Sequence, residues 1–355
     1  MGSSRSLHQD NIVILCEGTK TEYQYFCSIR DYLNNTNSNR FSDIKIVPVE
    51  SEMVNPPGSR KKRKLKRDNS GLNLNICYYC LQEDSAQLYE QYKSEPTRFV
   101  RETYLFMERG RYKYGWAVYD HDDHPDRQNA DVQARKWGVK IAFSSRCFEE
   151  WLLMHFERND TIFTTSECKD TNGNEKRCGI GIPDSCHGEI CIGGCLREKN
   201  FIPNYKKTDV SNLFTNYTLP RLEQSLVNSA WLNHLEEGTP YYDRRRYTNV
   251  GDLILFLLGK NEHIEYKEFG DFFSYRGTRL RLGRQDNSLT LSNIGDIACI
   301  LTGTAFYLSD SFQQLGPIVS QGLLSPGQSI QCNPYDHDAQ MICFNDSSRK
   351  IIYCL

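Results

Sequence analysis

"NIVILCEGTKTEYQYFCSIRDYL", residues 11–33, is the stretch on which the fold turns. Ile12, Val13, Ile14, Leu15 and Cys16 form an unbroken apolar run that reads as a buried strand. Glu17 and Gly18 close it with a sharp turn. Tyr25, Ile29 and Leu33 then recur every four residues, the spacing of one face of a helix.

The same grammar repeats downstream. "DIKIVPVE" (43–50), "YGWAVYD" (114–120) and "VKIAFSS" (139–145) read as three more strands. Between and after them lie helical segments at 82–108, at 126–138 with Gly138 as C-cap, and at 147–157. Strand and helix alternating four times predicts an α/β domain, a mostly parallel sheet with helices on both faces. Ligands of such sheets bind at the carboxyl ends of the strands. Glu17 ends the first strand and Asp120 the third, so this topology brings them to one edge.

"AVYDHDDHPD", 117–126, adds Asp122, two residues beyond Asp120. On an extended segment the two carboxylates point the same way. Hard cations such as Mg²⁺ take a few carboxylate oxygens plus waters, and one or two such ions suit phosphodiester chemistry. A solvated turn explains D-x-D better when it is taken alone. His121 and His124 also allow a transition-metal site, while Asp123 and Asp126 read as helix caps. Glu22 reads as an ordinary surface charge of the first helix.

"VILCEGTKTEYQYF" resembles the first motif of TOPRIM domains, and "AVYDHDD" their D-x-D motif. "VKIAFSSRCFEEWLLMHF", "YKKTD" (205–209) and "RRRYTNVGDLILFLLG" (244–259) resemble segments of the RloB-like branch, in the expected order. The resemblance implies a TOPRIM/Rossmann-like fold over 11–160 and a helical completion over 201–259. It implies a metal-dependent nuclease of prokaryotic phage defence, acting on DNA or RNA beside an ABC/SMC-like ATPase. Residue by residue it implies Glu17, Asp120, Asp122 and Glu149 as catalytic ligands of Mg²⁺ or Mn²⁺. Lys206, or its neighbour Lys207, would stabilise a pentavalent phosphate. The competing class is a scaffold or sensor subunit that binds an ATPase or nucleic acid without cutting. Homo-oligomerisation stays open.

Two inserts interrupt this pattern. At 51–75, "RKKRKLKR" sets Arg60, Lys61, Lys62, Arg63, Lys64, Lys66 and Arg67 side by side, a stretch suited to neutralising phosphates in nucleic-acid binding. At 161–200, Cys168, Cys178, Cys186, His187, Cys191 and Cys195 crowd a stretch with little apolar content. Four of these six would hold a structural Zn²⁺ that supplies the folding energy. Cys77 and Cys80 form a lone C-x-x-C, read as packing. Residues 260–355 alternate short apolar runs with Gly, Asn, Asp and Ser, predicting a separate β-rich or α+β module of unknown role. A formal net charge of −2 gives no global pull toward a polyanion, and no run approaches a membrane span, so a cytoplasmic protein is expected.

Overall fold

The computed structural model describes residues 10–18, 20–48, 96–122, 124–260, 262–285, 288–309, 313–320, 322–335, 337–346 and 349–355. The basic run at 60–67, the Cys77 and Cys80 pair, the first part of the helical segment expected at 82–108, and Asp123 lie outside these residues.

Strands β1 (Asp10–Cys16), β2 (Phe41–Pro48), β3 (Tyr114–Asp120) and β4 (Lys140–Ser145) pair in parallel in the order β2-β1-β3-β4. Three short strands follow in this unit, β5 (Cys168–Lys169), β6 (Glu175–Lys176) and β7 (Tyr247–Thr248), of which β7 adds an antiparallel edge beside β4. The unbroken apolar runs follow from burial on both faces. On one face, Val13, Leu15, Ala117 and Tyr119 share a core with Phe99 and Phe106 of α2 and Ala130 and Ala134 of α3. On the other, Trp116 meets Phe256 at 5.9 Å between ring centroids. Here α1 is Thr21–Asn35, α2 Thr97–Gly110 and α3 Arg127–Trp137, which Gly138 ends at φ +68° as expected. Phe256 belongs to the last helix of this unit, Val250–Leu257.

Two expectations are corrected. The helix at 147–157 is only five residues long, α4 (Glu149–Leu153). Residues 201–259 do not form one helical completion. The described chain divides into two compact units: one holds the residues up to Leu153 with Thr161–Pro220 and Pro240–Gly259, the other Met154–Asp160, Arg221–Thr239 and Lys260–Leu355. After α5 (Ile192–Glu198), helix α6 (Leu222–His234) falls in the second unit because Val227 packs with Phe306, Leu308, Met341 and Ile352. The helix Val250–Leu257 is α7, in the first unit.

The second unit is β-rich. A five-stranded sheet and a four-stranded antiparallel sheet share one core, in which Phe273, Leu280, Leu282 and Leu291 meet Tyr307, Ile342, Phe344 and Tyr353. Buried and exposed residues alternate along the first part of Thr278–Gln285, as on a strand with one face in the core. Among the described residues, no helix is long and apolar enough to cross a membrane.

Candidate active site and cysteine cluster

The first site forms at the carboxyl edge of the parallel sheet. Strand β3 ends at Asp120, and His121 continues the ladder by donating its N–H to Ser144 O at 3.0 Å. The chain then turns, with Asp122 at φ +21° and the N–H of His124 donating back to His121 O at 3.1 Å. Asp120 and Asp122 are therefore not neighbours on one extended strand, as their spacing suggests. Asp122 reaches the site from an exposed turn.

Glu17 ties the two central strands together. Its Oε2 accepts the N–H of Asp120 at 2.9 Å, and its Oε1 lies 2.9 Å from Nε2 of His124. With Glu17 ionised the imidazole is the donor. Both oxygens are thus engaged, each keeping a second lone pair. His124, in the loop before α3, is a buried contact of Glu17. His121 turns elsewhere, its Nδ1 2.9 Å from Arg146. Asp126 occupies the N-cap position of α3 without a side-chain capping hydrogen bond.

Glu22 joins this group, against expectation. It lies in the first turn of α1, three and four residues before the buried Tyr25 and Phe26, and so on their face. Gly18 leaves room for it: a Cβ there would sit 2.9 Å from Glu22 Oε2. Tyr25 OH, 2.8 Å from Thr218 Oγ1 and 3.2 Å from the donating Trp151 Nε1, ties α1 to α4.

From α4 come two adjacent buried glutamates. Glu150 forms a buried ion pair with Arg246, Nε to Oε2 at 3.1 Å. Glu149 accepts a hydrogen bond from the Tyr205 hydroxyl at 2.5 Å and faces the acidic group. The cation beside them is Lys207, not Lys206. Lys206 is exposed, whereas Lys207 is half-buried, and Glu149 and Glu175 hold its ammonium above its ordinary pKa despite burial that acts the other way. The Thr21 hydroxyl at the start of α1 contacts Lys207 O at 3.4 Å, which docks this segment by the site.

The electrostatics record the convergence. Burial, then repulsion from Glu22, Glu17, Glu149 and Asp122, pushes Asp120 well above the usual carboxylate range. Glu22 is pushed up to about 7 by burial and by Glu149 and Glu17. Asp122 rises through burial and Glu17, with His124 and Lys207 opposing. Cys147 rises through burial, Glu149 and Asp120, so its thiol stays protonated. Such an arrangement of carboxylates costs folding energy, and its oxygens are of the hard kind that divalent cations prefer.

The second cluster is built from sulfur. Cys168 on β5 (Cys168–Lys169), Cys178 just after β6 (Glu175–Lys176), Cys186 in a turn and Cys191 before α5 converge. Their Sγ atoms all lie within 4.8 Å of one another, the only such group among the described residues. Tetrahedral zinc with Zn–S of about 2.3 Å spaces sulfurs about 3.8 Å apart, so this set can close on a metal such as zinc. Burial raises the Cys186 thiol, but backbone N–H groups of Ile190 and Gly188 and the thiols of Cys168 and Cys191 hold it down at about 6. Cys195 and His187 are the two candidates not included. Cys195 sits inside α5, and His187 pairs with Glu198 at 3.4 Å.

A family model described as RloB-like protein matches residues 12–257. The chain belongs to the RloB-like family. That span runs from β1 to the last residue of α7 and includes both clusters. No curated protein and no solved structure matches the chain.

Proposed function

We propose that this RloB-like protein is a TOPRIM-type nuclease whose acidic edge cleaves nucleic-acid phosphodiesters with Mg²⁺ or Mn²⁺. Its role is effector in anti-phage defence, in the cytoplasm, beside an ABC/SMC-like ATPase. One observation carries the reading: Glu17, Glu22, Asp120, Asp122 and Glu149, from β1, α1, β3 and α4, are held together although burial and mutual repulsion raise Asp120, Glu22 and Asp122. A fold keeps such a cluster where a cation offsets the repulsion.

Asp120, Asp122, Glu22 and Glu149 would hold the ion, with the remaining lone pairs of Glu17. When bound, a divalent ion there supplies Lewis-acid activation of water and of the phosphoryl oxygen. Around it, Glu17 fixes Asp120 through its backbone N–H. Tyr205 occupies one Glu149 oxygen and so orients the carboxylate. Lys207 contributes the positive charge that a phosphate requires as its negative charge builds. Water adds to phosphorus, one P–O ester bond breaks, and the leaving oxygen takes a proton. The cysteine cluster would hold Zn²⁺ in a structural role, since all four donors are protein sulfurs.

The test is incubation with plasmid, single-stranded DNA, RNA and tRNA, with Mg²⁺ or Mn²⁺, with and without the ATPase. Cleavage that Asp120→Ala removes is the expected result. Binding of a polynucleotide or the ATPase without cleavage in any of these conditions overturns it in favour of a scaffold or sensor.

A further inference from the structure

The two clusters are joined by a continuous chain of buried contacts centred on Arg197. Its guanidinium donates to Glu167 through Nη1 to Oε1 at 2.8 Å and Nη2 to Oε2 at 2.6 Å. Nη1 also donates to Tyr205 O at 3.0 Å, and Nε donates to Cys178 O. Arg197 and Glu167 are both buried, and each guanidinium nitrogen has a partner on the protein. Gly179, next to Cys178 at φ +123°, admits this approach: a Cβ there would lie 2.8 Å from Arg197 Cβ. Tyr205, held at its carbonyl by Arg197, donates its hydroxyl to Glu149. A second link runs from β6, where Glu175 Oε1 lies 3.0 Å from Lys207 Nζ.

We propose that the cysteine cluster, when it holds its metal, acts as the positioning frame of the acidic site, with Arg197 and Tyr205 as the positioning residues. The inference rests on the acidic edge being a divalent-cation site. A solvated ornament would not need a buried arginine shared between a cysteine carbonyl and the residue that orients Glu149. The hairpin of β5 and β6 has few apolar residues, so without metal it lacks the means to hold Cys178 O and Glu175 in place. Arg197 then loses one acceptor, and Tyr205 and Lys207 lose their support together. Partners behind a ligating carboxylate set metal affinity by about 10–100-fold in comparable sites.

Mn²⁺ titration of the full chain, read by loss of the free-ion paramagnetic resonance signal, tests this without any cleavage assay. Zinc content is measured on the same samples. Tyr205→Phe keeps the ring and removes only the hydroxyl; it is expected to retain zinc and to bind Mn²⁺ about tenfold more weakly. Cys178→Ser is expected to lose zinc and to weaken Mn²⁺ at least as much, while the second unit keeps its unfolding transition. Arg197→Met is expected to fall with them. Mn²⁺ binding that Asp120→Ala abolishes but that neither Tyr205→Phe nor a zinc-free Cys178→Ser alters overturns this inference alone. Mn²⁺ binding insensitive to Asp120→Ala overturns the nuclease reading, and this inference with it.

Discussion

The acidic edge and the cysteine cluster are both sets of like-charged or ionisable groups drawn together by one chain, yet they are built in opposite ways. The cysteines come from a single 24-residue stretch, 168–191, and their four sulfurs all lie within 4.8 Å of one another, near enough to close on a tetrahedral ion. The carboxylates come from elements spread between Glu17 and Glu149 and depend on the parallel sheet to meet. Asp122 is exposed, so the acidic set is open on one side. A closed, soft, four-donor site is a folding device, whereas an open set of hard donors leaves room for a substrate and for chemistry. The difference explains why the sulfur site was recognisable from local spacing and the oxygen site only from topology.

The largest expected effect separates the two by activity. Asp120→Asn should lower cleavage on the order of 10³-fold, because several kcal/mol of charge stabilisation are lost. It should also raise the melting temperature of the metal-free protein above neutral pH, since a group repelled by Glu22, Glu17 and Glu149 is removed. A lower melting temperature would mean that the carboxylates are held by attraction, contrary to their shifts. Cys186→Ser should instead lower the melting temperature of the first unit. Zinc per chain should drop from about one to near zero by elemental analysis, and proteolysis should open within 168–191. Full zinc retention in Cys186→Ser would remove Cys186 from the ligand set; loss of zinc in Cys195→Ser, with its fold intact, would add Cys195.

A smaller contrast lies between two adjacent residues. Glu150→Gln leaves the Arg246 guanidinium buried without its counter-charge, which should cost about 3–5 kcal/mol in denaturant unfolding. Glu149→Gln should cost clearly less, because the amide oxygen still accepts from Tyr205 and the repulsion on Asp120 and Glu22 is relieved. Equal costs would show that Glu149 is as structural as its neighbour.

This pair also marks how far the sequence is readable. The four parallel strands and the edge to which Glu17 and Asp120 come were legible because short β-branched and aromatic runs alternate with segments of helical spacing. The β-rich second unit was legible from its alternation. Glu22 was not recognised, although the signal was present: it stands on the same helical stripe as Tyr25, Ile29 and Leu33, where a surface charge does not belong. Lys207 against Lys206, and His124 as the partner of Glu17, turn on backbone direction inside short loops, which no periodicity encodes. The turn that carries Asp122 breaks the strand at the residue where period-2 reasoning assumed it continued.

The smallest effect is a pH dependence that the cysteine cluster should not share in the same direction. Glu22 has its pKa raised to about 7 in the folded chain by burial and by Glu149 and Glu17, so the folded state holds its proton more tightly than the unfolded state does. For a carboxyl group raised in this way, the stability is fully present below the unfolded pKa and is lost as pH rises through the folded one. The metal-free acidic edge should therefore destabilise the first unit progressively between about pH 4.5 and 7, measured by thermal unfolding, and Glu22→Gln should flatten that slope. Mn²⁺ favours the deprotonated carboxylates, so its stabilising shift should grow across the same interval. A zinc-loaded cysteine site in the same chain gains stability with rising pH, because its thiols must lose protons to ligate. The two slopes oppose each other. A Glu22→Gln protein whose slope matched wild type would detach Glu22 from the acidic group and leave its place on the buried stripe of α1 a matter of packing alone.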